Sequence, residues 1–171
     1  FSTPVIVNDN SGSDMGHAPH GANHPNGPVY VAWADYNVQL ADASMGTIKI
    51  DRTNIPTALP VFGVDLLVAN IDPVPRNLSS TLGVYDDTRG DTYPALAVDE
   101  NDASGNTVFL AYAADPPGAD EGDIYFVKSI DGGLTWSPPL RVNDDATSRD
   151  QIHPAIVDVP SFGPLWIAWY D

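Results

Sequence analysis

Oxygen-bearing side chains crowd two short stretches of this chain. Asp115, Asp120, Glu121 and Asp123 place several carboxylates within nine residues, and Asp9, Asn10, Ser13 and Asp14 form a second oxygen-rich run. Hard oxygen donors at that density suit Ca²⁺, which takes about six to eight oxygens in flexible geometry. Neither stretch has EF-hand spacing. Asp, Asn, Ser and Gly also bond their own backbone in turns, so a turn-forming role stands beside the metal role.

The elements that must position these residues read as strands. Sixteen Pro, fourteen Gly and many short apolar runs rich in Val, Ile, Tyr and Trp favour an all-β fold, and no long window has a helical period. One hairpin is explicit. Tyr125, Phe126 and Val127 form a strand-like run, Asp131-Gly132-Gly133 supplies a carboxylate acceptor and two residues that tolerate positive φ, and Thr135-Trp136 begins the return. The Trp136 indole is large enough to cover the hairpin and anchor it on a sheet.

The chain repeats itself. Residues 14–35 align with 150–171 without a gap, setting His17 on His153, Trp33 on Trp169 and Asp35 on Asp171, and 91–115 is a third copy with a longer central turn. Residues 1–9 match 136–144, and 46–51 resemble 122–128. A complete unit is therefore four strands, near 93–98, 107–113, 122–128 and 138–142. Four-stranded units recurring at about 40 to 60 residues predict propeller blades. Between 52 and 83 the pattern is irregular, and that unit reads as diverged or carrying an insertion.

Composition narrows the function classes. A formal charge of −16, with Lys49 and Lys128 the only lysines, disfavours nucleic acid and anionic membranes, which need a basic surface. Cations and neutral glycans remain open. With no cysteine there is neither a disulfide framework nor a thiolate metal site. No apolar stretch approaches the ~20 residues that span a bilayer. The first residues lack a signal-peptide pattern, so the expectation is a chain that starts after processing or was never exported.

The string Ser129, Asp131, Gly133, Thr135, Trp136, spaced S-x-D-x-G-x-T-W, resembles the Asp-box (BNR repeat) of sialidase-like β-propellers. That resemblance covers nearly the whole chain except 52–83. It implies a β-propeller of four-stranded antiparallel blades, here one partial domain over 1–171 with units near 14–83, 91–144 and 150–171 and with 1–9 as the outer strand of a preceding blade. A closed propeller takes at least ~4 blades, so this incomplete set of about two and a half implies further blades from a longer chain or from self-association.

In propellers resembling this one, Asp-box turns lie on one face and the ligand site on the other. The ligand-face loops would be 8–17, 35–46, 85–93, 115–123 and 143–153, which makes Arg89, Arg149, Asp87, Asp91, Asp145 and Asp150 ligand-face candidates and the Asp-box structural. Sialidases pair a tyrosine nucleophile with a Glu, use an Asp acid/base and bind the substrate carboxylate with three arginines. Only Arg89 and Arg149 fall in the ligand-face loops, Glu100 and Glu121 are the only glutamates, and no Arg-Ile-Pro motif is present. A complete sialidase site is not visible.

The resemblance therefore implies a non-catalytic, secreted extracellular or cell-surface module. Its acidic loops would bind a glycan or protein partner, with calcium as the candidate ion. Part of a secreted sialidase-like glycoside hydrolase is the alternative, and a structural subunit of a surface assembly the third. His17, His153, His20 and His24 read as turn or packing residues, Trp33, Tyr112 and Trp169 as core, and Arg89-Gly90-Asp91 as a chance tripeptide. Asn77-Leu78-Ser79 is a glycosylation sequon.

Overall fold

A computed structural model describes residues 4–9, 16–25, 27–35, 46–53, 61–74, 92–115, 117, 122–147, 149–160, 163 and 165–171. It is all-β, with no helix among these residues. Strands β1 (Gly16–Asn23), β2 (Val29–Asp35), β3 (Gly46–Thr53) and β4 (Leu66–Ile71) form a first antiparallel sheet in sequence order. A second follows as β5 (Ala95–Val98), β6 (Val108–Ala114), β7 (Asp123–Ser129) and β8 (Leu140–Arg141), and a third holds β9 (Ile152–Asp158) paired with β10 (Leu165–Tyr170). Every sheet is open.

The same register recurs in the first two sheets. β2 and β3 pair from Val29 with Thr53 to Asp35 with Thr47, and β6 and β7 pair from Val108 with Ser129 to Ala114 with Asp123. Position 51 of the first sheet therefore corresponds to position 127 of the second. The sheets stack through their first strands, because β5 packs against both β1 and β9.

Burial explains the stacking. Every residue of β6 is buried, so this strand has no solvent face, while Lys128 of β7 and both residues of β8 are exposed. Leu96, Val98, Leu110, Tyr112 and Val127 join Tyr30, Ile48 and Ile50 in a core between the first two sheets, and Ala113 and Ile124 meet Ile152, Ile167 and Trp169 in a smaller core toward the third. The far side of the third sheet is bare, with Val157, Trp166 and Tyr170 at 52%, 61% and 72% exposure.

Several sequence expectations shift. β4 lies inside 52–83, where the pattern reads as irregular, because Leu66-Leu67-Val68-Ala69 is a continuous apolar run without alternation. β8 is shorter than 138–142, since Pro138 and Pro139 have no N–H to give a ladder. Residues 4–9 are in no strand, and Asp9 is instead tied to the first sheet, its N–H donating to Asp65 Oδ1 at 3.2 Å. The gap-free match of His17 to His153 is off by one. His17 pairs with Ala34, but Ile152 pairs with Tyr170, because the 159–164 turn is a residue longer than 24–28. His153 falls one place on, in the bulge opposite Trp169, at φ 53°.

Turns abut between sheets where glycine permits it. Tyr30 of β2 donates its hydroxyl to the Gly105 carbonyl at 2.8 Å, and a side chain on Gly105, at φ 65°, would meet the His24 ring at 3.0 Å. Gly132, at φ 75°, carries the Arg52 guanidinium of β3 where a Cβ would stand. Gly132→Ala is expected to cost about 1–2 kcal/mol from the left-handed backbone alone and to dislodge Arg52. Thermal denaturation should show a fall of about 2–8 °C, while Leu134→Ala, at an exposed position of the same turn, should change the midpoint little.

Candidate functional site

The Asp-box sequence closes the β7–β8 hairpin by hydrogen bonding to itself. The Ser129 hydroxyl donates to Asp131 Oδ1 at 2.8 Å and accepts from the Gly133 N–H at 2.9 Å. Asp131 Oδ1 also accepts from the Thr135 N–H at 2.9 Å, the Thr135 hydroxyl donates to Oδ2, and Trp136 Nε1 donates to the Gly133 carbonyl at 3.1 Å. These donors stabilise the ionised carboxylate, Thr135 most of all, and hold Asp131 at a pKa of about 2. Ser129, Asp131, Gly133, Thr135 and Trp136 thus use their polar groups on one another.

The other end of β7 differs. Seven residues of strand, about 20 Å, separate the Asp-box turn from Asp123, where β7 begins. There the Asn143 amide is buried among several partners. Its Oδ1 accepts from the Ile124 N–H at 2.9 Å, and its Nδ2 faces Asp123 Oδ1 at 2.6 Å, Gln151 Oε1 at 2.7 Å and Asp145 Oδ1 at 3.1 Å. Two amide hydrogens serve three acceptors, so at least one bond is shared. Arg141 Nη2 meets Asp123 at 2.8 Å, balancing that buried carboxylate. Gln151 in turn donates to the Arg149 carbonyl at 2.7 Å, and reaches Asp171 Oδ1 at 3.5 Å. Two linked amides, Asn143 and Gln151, therefore join β7, the 142–151 loop and the end of β10.

Asp145 accepts from the Thr147 N–H at 3.2 Å and from its hydroxyl. Thr147 first, and Asn143 second, hold its pKa below the usual carboxylate range. Beside this network, Tyr93 stacks on the His153 ring at 4.7 Å, and Tyr170 meets that ring edge-on at 6.1 Å. The arrangement is a hydrogen-bonded loop platform of carboxylates, amides and an imidazole.

Of the proposed calcium ligands, Asp115 and Asp123 lie at the adjoining ends of β6 and β7, with Asp123 committed to Arg141 and Asn143. Asp9 lies far along the first sheet beside Asp65. Asp14, Asp120 and Glu121 lie outside the described residues, as do Asp87, Arg89 and Asp91. Arg149 is exposed, Asp145 half-buried and Asp150 buried, all in the 142–151 loop. Among the described residues no group of three or more His, Asp or Glu side chains has the arrangement to hold a metal ion. Trp33 and Tyr112 are core, and Trp169 is partly buried against the second sheet.

Asn143, Gln151 and Arg141 are the residues that sequence reasoning missed. A signal was present: Val-Asn-Asp recurs at 7–9 and 142–144, with an amide rather than a charge at its centre. No family model matches this chain, and neither a curated protein nor a solved structure matches it.

Two predictions follow from the geometry. Asn143→Leu strands the buried Ile124 N–H and the Gln151 oxygen, and should lower stability by about 2–3 kcal/mol in urea denaturation. Asp131, whose folded pKa is depressed, contributes stability that is present above its unfolded pKa of about 3.9 and lost as pH falls toward about 2. Asp131→Asn should therefore lower the melting temperature at pH 7 and flatten its decline between about pH 4 and 2.

Proposed function

We propose that the three sheets are consecutive blades of an Asp-box β-propeller. On this reading the chain serves as a non-catalytic extracellular module, binding a neutral glycan or a protein partner through the loops around Asn143. The propeller reading is supported by the repeated register, the stacking of β1, β5 and β9, and the bare side of the third sheet. Trp166, Ala168 and Tyr170 on that side correspond to Phe109, Ala111 and Ala113, and to Tyr30, Ala32 and Ala34, which the first two sheets bury. A further blade fits there, from a longer chain or from self-association.

The single observation that carries the binding role is the state of the carboxylates at the Asn143 end. A glycosidase needs a carboxylic acid whose pKa is raised toward neutrality. Asp145 is held in the opposite direction, and Asp123 is engaged by an arginine and an amide. Acceptors held in a hydrogen-bonded loop suit recognition of hydroxyl or amide donors. The formal charge of −16 directs that recognition away from anionic sugars.

The intact protein should bind members of an array of neutral glycans. Arg149→Ala should weaken that binding about tenfold, and Ser137→Ala, near the Asp-box, should leave it unchanged. Turnover of fluorogenic sialosides or other glycosides would overturn the non-catalytic reading. A natural protein with the mass of these 171 residues alone and a monomeric sedimentation coefficient would overturn the propeller.

A further inference from the structure

The first sheet holds a pair of acids that the second sheet does without. Ile50 and Leu66 are the last pair of the β3–β4 ladder, and Asp51 and Asp65 come next to it, Asp51 still in β3 and Asp65 immediately before β4. Asp51 is 1% exposed. Each carboxylate has one oxygen engaged by backbone amides: Asp51 Oδ1 accepts from the Arg52 and Gly63 N–H groups at 2.6 and 3.0 Å, and Asp65 Oδ1 from the Asp9 N–H at 3.2 Å. The remaining oxygens, Asp51 Oδ2 and Asp65 Oδ2, are buried and make no hydrogen bond.

Like charges held close together repel, and a buried carboxylate oxygen without a partner costs free energy comparable to a lost hydrogen bond. The charged groups that act on Asp51 are themselves acids, Asp65 and Asp9. Lys49, its neighbour on the same strand face, is ion-paired to Asp35. The hydrogen bonds of Oδ1 leave Oδ2 without a structural role, and the equivalent position of the second sheet is the core residue Val127. The free oxygens match a cation in both charge and chemistry.

We infer that Asp51 and Asp65 bind a divalent cation of the Ca²⁺ type through their Oδ2 atoms. Water would complete the shell, since among the described residues no third acidic side chain joins the pair in an arrangement that holds a metal. Two carboxylates balance one divalent charge, and Ca²⁺ accepts the irregular oxygen sets that Mg²⁺ does not. The site is independent of the Asn143 platform and of any ligand bound there. Burial also pushes the Asp51 carboxyl up, so the free protein resists holding both charges there.

Terbium luminescence and thermal denaturation of the intact chain at pH 7 test the inference. Trp33 lies on the same face of β2 as Val31, which pairs with Asp51, so its indole is a diagonal neighbour of the site and a sensitiser for Tb³⁺. Calcium chloride should displace Tb³⁺ and, at saturation, raise the melting temperature by about 5 °C or more over protein in EDTA. Asp51→Asn and Asp65→Asn should each abolish that rise, Trp33→Phe should remove most of the sensitised emission, and Asp123→Asn should change neither. In EDTA, Asp51→Asn should melt at or above the wild type, which shows that it folds. A melting temperature indifferent to calcium, a rise that persists in Asp51→Asn, or emission that survives Trp33→Phe would each overturn the site. So would a wild type that ignores calcium but gains stability from pH 7 to 5, the behaviour of a pair sharing a proton.

Discussion

The three sheets of the described residues are arranged around a strand that has no solvent face. β6 is buried along its whole length, so the second sheet must be matched on both sides. Large side chains, Leu96, Leu110 and Tyr112, point toward the first sheet, while the side toward the third is built with Ala95, Ala97, Ala111 and Ala113. At about 25 cal/mol per Å² of apolar surface removed from water, the two cores hold the sheets together with no disulfide. Close stacking then dictates the turns. Gly105 and Gly132 stand where a neighbouring sheet delivers His24 and Arg52, so their positive φ serves the packing as well as the hairpin.

The acidity of the chain divides into separate physical roles. Asp102 and Asp131 face inward on their own turns, accepting N–H and hydroxyl donors that keep both ionised well below the usual carboxylate range. Asp35 and Asp123 are buried but balanced, by Lys49 and Arg141. Asp51 and Asp65 belong to neither group, since their free oxygens have no donor. A composition count treats all these acids alike; burial and partners separate them.

The strand plan was legible because the repeat carries it. The strands of the second sheet fall within a residue or two of 93–98, 107–113 and 122–128, and the D-x-G-x-T-W spacing marks its hairpin. What stayed hidden had physical causes. β4 lacks both alternation and an Asp-box, and its place is set by the ladder with β3. The one-residue slip between β1 and β9 comes from the longer connection to β10, and both strands keep the same bulge, with Pro19 in one and Pro154 in the other, where a missing N–H costs nothing. The Asn143 network joins residues as far apart as Asp123 and Asp171 through uncharged amides, so neither charge nor spacing announces it.

Repetition also shows which residues exceed the needs of the scaffold. A position that is a hydrophobe in one sheet and an acid in the next, as Val127 and Asp51 are, marks an acid that the shared register alone does not call for. The same comparison acts in reverse at the other end of the strands. Asp123 replaces Thr47, and its buried charge persists because Arg141 and Asn143 come with it from β8 and the loop beyond. Each sheet thus supplies a common frame of backbone and core, and departs from it where a buried polar group brings its own partners or leaves an oxygen for something else to fill. Such departures, rather than the repeated motif, are where the chemistry of this chain resides.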